Sequence, residues 1–274
     1  MSLNVLFLGE IVGRAGIAVL KKELRSLRHE LDVDLCIANG EGTTNGFGIG
    51  AAHSVQLTKL GVDVITGGEK FYYKVDFVEF LPKCPFAIRP ANYPPLSPGR
   101  PFRILERKGH RIAVVNFISS SGFSRIGASN PFVQADHLVK KLQEDAGIVL
   151  VQFHSATTAE CATFAHYLDG RVACVVGTHN KVMSADATIL EGGTAFISDD
   201  GRCGADMSVG GLDPDKEIYK FTTALPTRSW ESWSDCQIQG VLVKVDEESG
   251  KALEITPVRR RVEVERPEVK KNDD

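Results

Sequence analysis

Seven side chains able to ligate a metal, carry a proton or balance an anion stand at equivalent local positions along this sequence. Glu10 comes just after the apolar run Leu3–Leu8, and Glu41 lies in Asn39-Gly40-Glu41-Gly42 after Leu35–Ala38. Glu69 and Lys70 lie in Thr66-Gly67-Gly68-Glu69-Lys70, His154 closes Val151-Gln152-Phe153-His154, and His179 and Lys181 lie in Gly177-Thr178-His179-Asn180-Lys181. Each preceding run reads as a β-strand. In an open α/β sheet, ligands sit beyond the carboxyl ends of the strands. Three carboxylates, two imidazoles and two ammonium groups are therefore expected to meet at one edge. One Glu in a turn, or one His at a strand end, is ordinarily structural; the repetition of the placement is what points to a site. Two imidazoles with carboxylates suit Zn, Mn or Fe, whereas Mg and Ca usually favour oxygen ligands alone. A metal held there would polarise a phosphoryl oxygen and lower the pKa of its bound water. Glycines flank nearly every one of these residues, which suits tight turns and close backbone approach to a ligand.

The positioning elements are legible as an alternation of short strands and longer helical segments. Asn4–Leu8, Leu35–Ala38 and Val62–Thr66 read as strands, with helices over 17–31 and 53–60 between them, the first carrying Leu20, Leu24, Leu27 and Leu31 at helical spacing. This βαβαβ opening predicts a mostly parallel sheet with helices on its faces. The stretch 82–101 holds seven of the twelve prolines and is expected to be a structured loop. Strands follow over 102–105 and 111–116, then a helix over 136–144, a strand over 148–153, a helix over 159–168 and a strand over 173–176. The last third reads as strands over 188–190, 194–197, 218–222, 238–245 and 253–264. In the final run Arg259, Arg261, Glu263 and Glu265 share one parity, as on the solvated face of an edge strand. One domain over 1–266 is expected, with a polar, disordered tail over 267–274.

The composition is that of an ordinary folded protein: 274 residues, 43% hydrophobic, 24% charged, net charge -3. There is no global field to attract duplex nucleic acid or an anionic membrane, so an anionic substrate has to be held locally. Cys36, Cys84, Cys161, Cys174, Cys203 and Cys236 form no CxxC pair and read as buried thiols of a reducing compartment. The run Leu3–Leu8 is too short to span a bilayer and has no cleavage signature, so a cytoplasmic location is expected. Gly9–Gly16 follows a strand and opens a helix, but is neither a dinucleotide fingerprint nor a P-loop. His29, His53, His110, His137 and His166 have no neighbour at ligand spacing, and Trp230 and Trp233 read as packing residues or interface anchors. Asn92 and Asn116 lie near turns, where Asn is common for backbone reasons.

Six ordered segments resemble the YmdB-like bacterial branch of the calcineurin-like metallophosphoesterases, a family with 2′,3′-cyclic-nucleotide phosphodiesterase activity. They are GEIVGRAG, EGTTNGFG, TGGEKFYYK, RPANYP, QFHSATTAE and GTHNKVMSAD, and ILEGGTAFISDDGRCG and GVLVKVDEESGKA also match. The resemblance implies layered β-sheets flanked by helices, with the ligand site at the carboxyl ends of the strands. It also exposes substitutions at site positions. The family's first Asp is Glu10 here, its Asn-His pair is Glu69-Lys70, the Asn beside the shared Glu41 is Gly42, and the second His of its last pair is Lys181. By that pattern one divalent transition metal (Mn, Fe or Zn) would be held by Glu41, Glu69, His154 and His179. The second site, with Glu10 as its remnant, would be empty, because an ammonium cannot ligate a cation. Lys181 is then expected to pair with Glu10 or Glu41. Lys70 and Lys181 are the candidate catalytic groups, and Gly42 and Gly68 the candidate phosphate-binding backbone.

Three functions follow. The first is a one-metal phosphodiesterase acting on a cyclic nucleotide or other phosphoester. The second is an inactive member that binds a phosphate or nucleotide, or serves as an interaction scaffold. The third is a metal-free protein balanced by Glu–Lys pairs. Its partners are expected to be small phosphorylated ligands, with no membrane and no duplex nucleic acid; a homo-oligomer is implied by resemblance only.

Overall fold

A computed structural model of the chain describes residues 2–123 and 126–267. Of the tail expected over 267–274, residues 268–274 lie outside the described residues. Two six-strand paths build the fold. The first runs β2 (Glu10–Ile11), β11 (Arg202–Ala205), β12 (Cys236–Asp246), β1 (Ser2–Leu8), β3 (Leu35–Asn39), β4 (Val64–Thr66), with β13 (Ala252–Arg261) pairing β12 off the path. The second runs β5 (Phe102–Arg107), β6 (His110–Ile118), β7 (Ile148–His154), β8 (Cys174–Thr178), β10 (Ala195–Ile197), β9 (Thr188–Ile189).

The site-bearing strands are parallel, as the β/α alternation requires: β1 with β3, β3 with β4, β6 with β7, and β7 with β8. The flanks are antiparallel, through β1 with β12 and β12 with β13, and through β5 with β6. The result is two mixed sheets instead of one mostly parallel sheet.

The apolar side chains sort into three layers. Leu3, Val5 and Phe7 of β1, with Ile37, Val64 and Val243, pack against Ile112, Val114, Leu150, Val176 and Ile197, so the two sheets lie face to face on a common core. Outside the first sheet, Leu20, Leu24 and Leu27 of α1 (Gly13–Glu30) bury against Leu6, Leu8 and Cys203, joined by Leu57 of α2 (Ala51–Leu60) and Phe77 of α3 (Val75–Phe80). Outside the second, Ala135, Val139 and Leu142 of α4 (Pro131–Asp145), and Phe164 and Leu168 of α5 (Thr158–Leu168), cover Val115, Val151 and Val175. Burial of these spaced apolar faces is what selects helix over coil in each segment.

The segment expected as a strand over 218–222 is helical: α6 spans Pro214–Thr223. Its start carries the capping chemistry that the β-rich letters Ile218-Tyr219-Lys220-Phe221-Thr222 obscure. The Asp213 carboxylate accepts from Lys216 N at 3.0 Å, and Pro214 occupies the first turn. α6 has no buried residue. The stretch 82–101 is a structured loop that starts in a 3-10 turn (Leu81–Lys83) and buries its middle, 87–93, with the bridge Ile65↔Ala87 tying it to strand β4. Strand β13 is an edge, and Pro257 is accommodated in it for that reason. Arg259, Arg261, Glu263 and Glu265 are exposed, while Arg260 turns back to α1 and reaches Glu23 at 3.1 Å and Glu30 at 2.6 Å. All six cysteines are free and buried. Among the described residues, no helix is long and apolar enough to cross a membrane.

Candidate metal centre

Four strand ends, two from each sheet, deliver the predicted ligands to one point. Glu41 stands in the turn after β3, Glu69 in the turn after β4, His154 is the last residue of β7, and His179 follows β8. One ligand atom from each of the four lies within 4.8 Å of all the others. His154 Nε2 is 2.5 Å from Glu69 Oε2, 3.1 Å from His179 Nδ1 and 3.4 Å from Glu41 Oε1, and His179 Nδ1 is 3.7 Å from Glu69 Oε2. A tetrahedral ion with bonds of about 2.1 Å spaces its donors about 3.4 Å apart. The two-imidazole, two-carboxylate set fits a single ion in chemistry; the separations of 3.1, 3.4 and 3.7 Å bracket that spacing, while His154 and Glu69 are drawn closer by their hydrogen bond.

The remaining charges are arranged around this cluster. Lys70 Nζ lies 2.7 Å from Glu69 Oε1 and 3.3 Å from Glu41 Oε1. Lys181 Nζ lies 3.0 Å from Glu10 Oε1, and its side chain is only 14% exposed, as the charge argument anticipated. Glu10 itself is fully buried, and the approach of Lys181 is an ion pair without hydrogen-bond geometry, so neither carboxylate oxygen has a hydrogen-bond partner.

Titration follows from burial set against these neighbours. Burial raises the Glu41 pKa, with His154 and Lys70 opposing it. For Glu69 burial is outweighed by His154 and Lys70, which hold its carboxyl below the usual range. For Lys70 burial is outweighed by Glu41, Glu10 and Glu69, so its ammonium is held charged. Burial lowers the His154 imidazole, but Glu41 and Glu69 prevail and raise it. His179 is pulled down to about 4 by burial and by the proximity of His154, and is neutral at physiological pH.

The two candidate glycines have structural tasks. A Cβ on Gly68 would fall inside the His154 imidazole, and the Gly68 N–H donates to Glu41 Oε2. A Cβ on Gly42 would strike Glu10 Oε1. Gly68 makes room for the His154 ring and Gly42 for the Glu10 carboxylate, and the Gly68 amide is committed to Glu41.

Beneath the cluster, buried amides and hydroxyls tie the two sheets together. Asn39 Oδ1 accepts from Glu41 N at 3.0 Å, and Asn39 Nδ2 donates to Thr178 Oγ1 at 3.1 Å, crossing from β3 to β8. Thr66 Oγ1 donates to Gln152 Oε1, and Gln152 Nε2 donates to Asp200 Oδ2 at 3.2 Å. Asn116 Nδ2 donates to Gly67 O at 2.5 Å, which gives that residue a place under the ligand turn. Sequence reading missed Tyr93, whose hydroxyl donates to Gly68 O at 2.9 Å, and Phe123, whose ring lies 5.3 Å from that of His154 and 4.9 Å from that of His179. It also missed the buried Asp199 and Asp200 after β10. Asp199 accepts from Asn180 N at 2.7 Å and so braces the His179 loop. Adjacent carboxylates at a strand end were the signal for these two; Phe123 carried none.

Residues 6–258 match the family model described as YmdB-like protein. The chain belongs to this family. A Bacillus subtilis relative, a 2′,3′-cyclic-nucleotide 2′-phosphodiesterase, is 31% identical over 253 residues, covering 92% of this chain and 95% of the relative. The crystal structure of a novel phosphatase from Mycoplasma pneumoniae matches with a TM-score of 0.90 at 30% identity, over 95% of this chain and 94% of that one. The crystal structure of a hypothetical protein from Thermus thermophilus matches with a TM-score of 0.87 at 30% identity, over 94% of this chain and 99% of that one. The fold is that of the calcineurin-like metallophosphoesterases, and the chain is a metallophosphoesterase-like protein of the YmdB-like family. A divalent metal is implied by that family, and the Glu41–Glu69–His154–His179 cluster is chemically fit to hold one.

Proposed function

We propose that the chain is a one-metal phosphodiesterase that hydrolyses a small phosphorylated substrate. The observation that carries this reading is the pairing of a complete four-donor cluster with Lys181 held against Glu10. Glu41, Glu69, His154 and His179 would hold a single Mn, Fe or Zn ion. When bound, the ion would polarise a phosphoryl oxygen and acidify its water.

The protein's own groups do the rest. Lys70 and Lys181, partly open at 13% and 14% exposure, offset negative charge on the phosphoryl oxygens. Because its neighbours hold Lys70 protonated, it acts as a fixed positive charge and not as the proton carrier. Tyr93 and the Gly68 amide hold the Glu41–Glu69 turn in place. The Bacillus subtilis relative makes a 2′,3′-cyclic nucleotide the first substrate to try. A second reading, binding without turnover, is favoured by one observation: both lysines are already occupied by carboxylates.

Metal content per chain and hydrolysis of 2′,3′-cyclic AMP test both readings on protein purified without chelator. About one equivalent of metal, lost together with turnover in His154→Ala/His179→Ala, is the expected result. Saturable binding with no turnover selects the second reading. Two equivalents refute the one-metal site, and none after incubation with excess metal leaves a centre balanced by lysines alone.

A further inference from the structure

A cavity of about 580 Å³ opens between the proline-rich loop and α4 and shares no lining residue with the metal cluster. Its volume is in the range of small-molecule sites, roughly 300–1,000 Å³. Much of the wall is apolar, from Pro94, Pro101, Leu138 and the ring of Tyr93. Into this wall is set Arg89, only 6% exposed.

Arg89 is a buried cation whose hydrogen bonds are largely unspent. Its Nη1 donates to Pro90 O at 2.9 Å, while Nε is sealed from solvent with no partner, and Nη2 makes no hydrogen bond among the described residues. None of the described carboxylates forms an ion pair with it. Besides the burial that lowers its pKa, the group acting on it is the phenol of Tyr72, which burial pushes up to about 12 and so leaves uncharged at neutral pH. A buried guanidinium with neither counter-ion nor full hydrogen bonding is costly and needs a compensating group.

The other polar groups nearby are already committed. Asn92 donates to Ile118 O at 2.8 Å and to Ser129 O at 2.9 Å, and accepts from Ile118 N at 3.0 Å. The Tyr93 hydroxyl is spent on Gly68 O. That leaves Nη2, the one guanidinium nitrogen of Arg89 that is neither sealed nor hydrogen-bonded among the described residues, as the charge-assisted donor that an oxyanion in the cavity would meet. We infer that this cavity is a second ligand site, taking a small molecule that carries a phosphate or carboxylate group, with Arg89 as its anion receptor. The proline and tyrosine wall accepts an apolar or ring-bearing remainder of that molecule.

The site lies behind the ligand turn, with Tyr93 as the shared wall, so its occupancy is separable from that of the metal centre by substitution. Calorimetric titration of the full chain with inorganic phosphate, AMP and succinate, in the presence of chelator, reads the two apart. We expect saturable binding of at least one of these anions at one equivalent, retained in His154→Ala/His179→Ala and weakened at least tenfold in Arg89→Met. Phosphate and AMP binding without succinate identifies a phosphate ligand, and the converse a carboxylate. Arg89→Lys keeps the charge but loses the guanidinium nitrogen that faces the cavity, and is expected to weaken binding at least tenfold while keeping the thermal midpoint. This variant carries the test if Arg89→Met fails to fold. Binding that survives in the folded Arg89 variants but disappears in the double histidine variant, or no saturable binding of any of the three anions, overturns the proposal.

Discussion

Replacing Lys181 with Met isolates the charge that stands beside the metal cluster. In the folded chain Glu10 is completely buried, neither of its oxygens has a hydrogen bond, and the Lys181 ammonium 3.0 Å away is its ion-pair partner. Removing one member of a buried pair costs about 3–5 kcal/mol, whereas an exposed pair contributes only about 0–1 kcal/mol. With Lys181 at 14% exposure and Glu10 at none, the pair belongs with the buried class. We therefore expect metal-free Lys181→Met to lose about 3 kcal/mol in urea unfolding at pH 7, and its thermal midpoint to fall by roughly 6–12 °C. Backbone strain does not confuse the comparison, because Lys181 already has a φ of 61 and Met inherits it from another unbranched side chain. Replacing both partners, Glu10→Gln/Lys181→Met, is expected to restore stability to within about 1 kcal/mol of the parent, since a matched pair of neutral groups leaves no buried charge. A loss below about 1 kcal/mol in the single variant, or an equal loss in the double variant, would refute the pairing argument.

Three further outcomes are expected. Gly68→Ala would force the His154 ring back by about 1 Å, against a metal-bond tolerance of about 0.2 Å, so calorimetry should show metal affinity at least a hundredfold weaker with every ligand residue still present. Burial raises the Asp199 carboxyl to about 7 from an ordinary 3.8, so the folded chain holds a proton that the unfolded chain releases. The Asp199 contribution to the stability of the metal-free protein should therefore decline as pH rises between about 4 and 7; the difference in urea midpoint between the parent and Asp199→Asn, compared at pH 5 and pH 8, reads this contribution apart from those of the other titrating groups. Metal binding must displace the proton that Glu41 and Glu69 stabilise on His154, whereas His179, pulled down to about 4, is already free. Affinity for Zn should thus rise with pH, with proton release visible as buffer-dependent binding heat; a pH-independent affinity would contradict this order.

The ligand positions were legible because each combines two local signals, a β-rich run and a liganding residue at its end, and the parallel arrangement converts a repeated local position into a shared place in space. Glu41, Glu69, His154 and His179 are among the seven residues that this rule singles out, and their selection as a ligand set came from the family resemblance. The helix α6 was not legible, because Ile218, Tyr219, Phe221 and Thr222 favour extended backbone while the capping contact of Asp213 lies outside the run. Strand β11 escaped because Arg-Cys-Gly-Ala has no periodicity; its pairing with β2 and β12 fixes it. Asn39, Thr178, Gln152 and Asp200 are ordinary polar letters in sequence, and only the stacking of two sheets makes them a buried bridge. The face-to-face packing itself depends on non-local contacts that no single segment encodes.

The six buried thiols give the protein an internal clock for its own opening. Burial raises the pKa of every one of them, so none is a ready nucleophile while its surroundings are closed. They are also divided among the layers: Cys36, Cys84, Cys203 and Cys236 lie under the helices of the first sheet, Cys174 lies between the sheets, and Cys161 lies under the helices of the second. A thiol reagent followed by peptide mass spectrometry would thus time the loosening of each layer separately in the unaltered chain, and repeating the pulse with metal present would show how far the hold of the four strand ends reaches into the core.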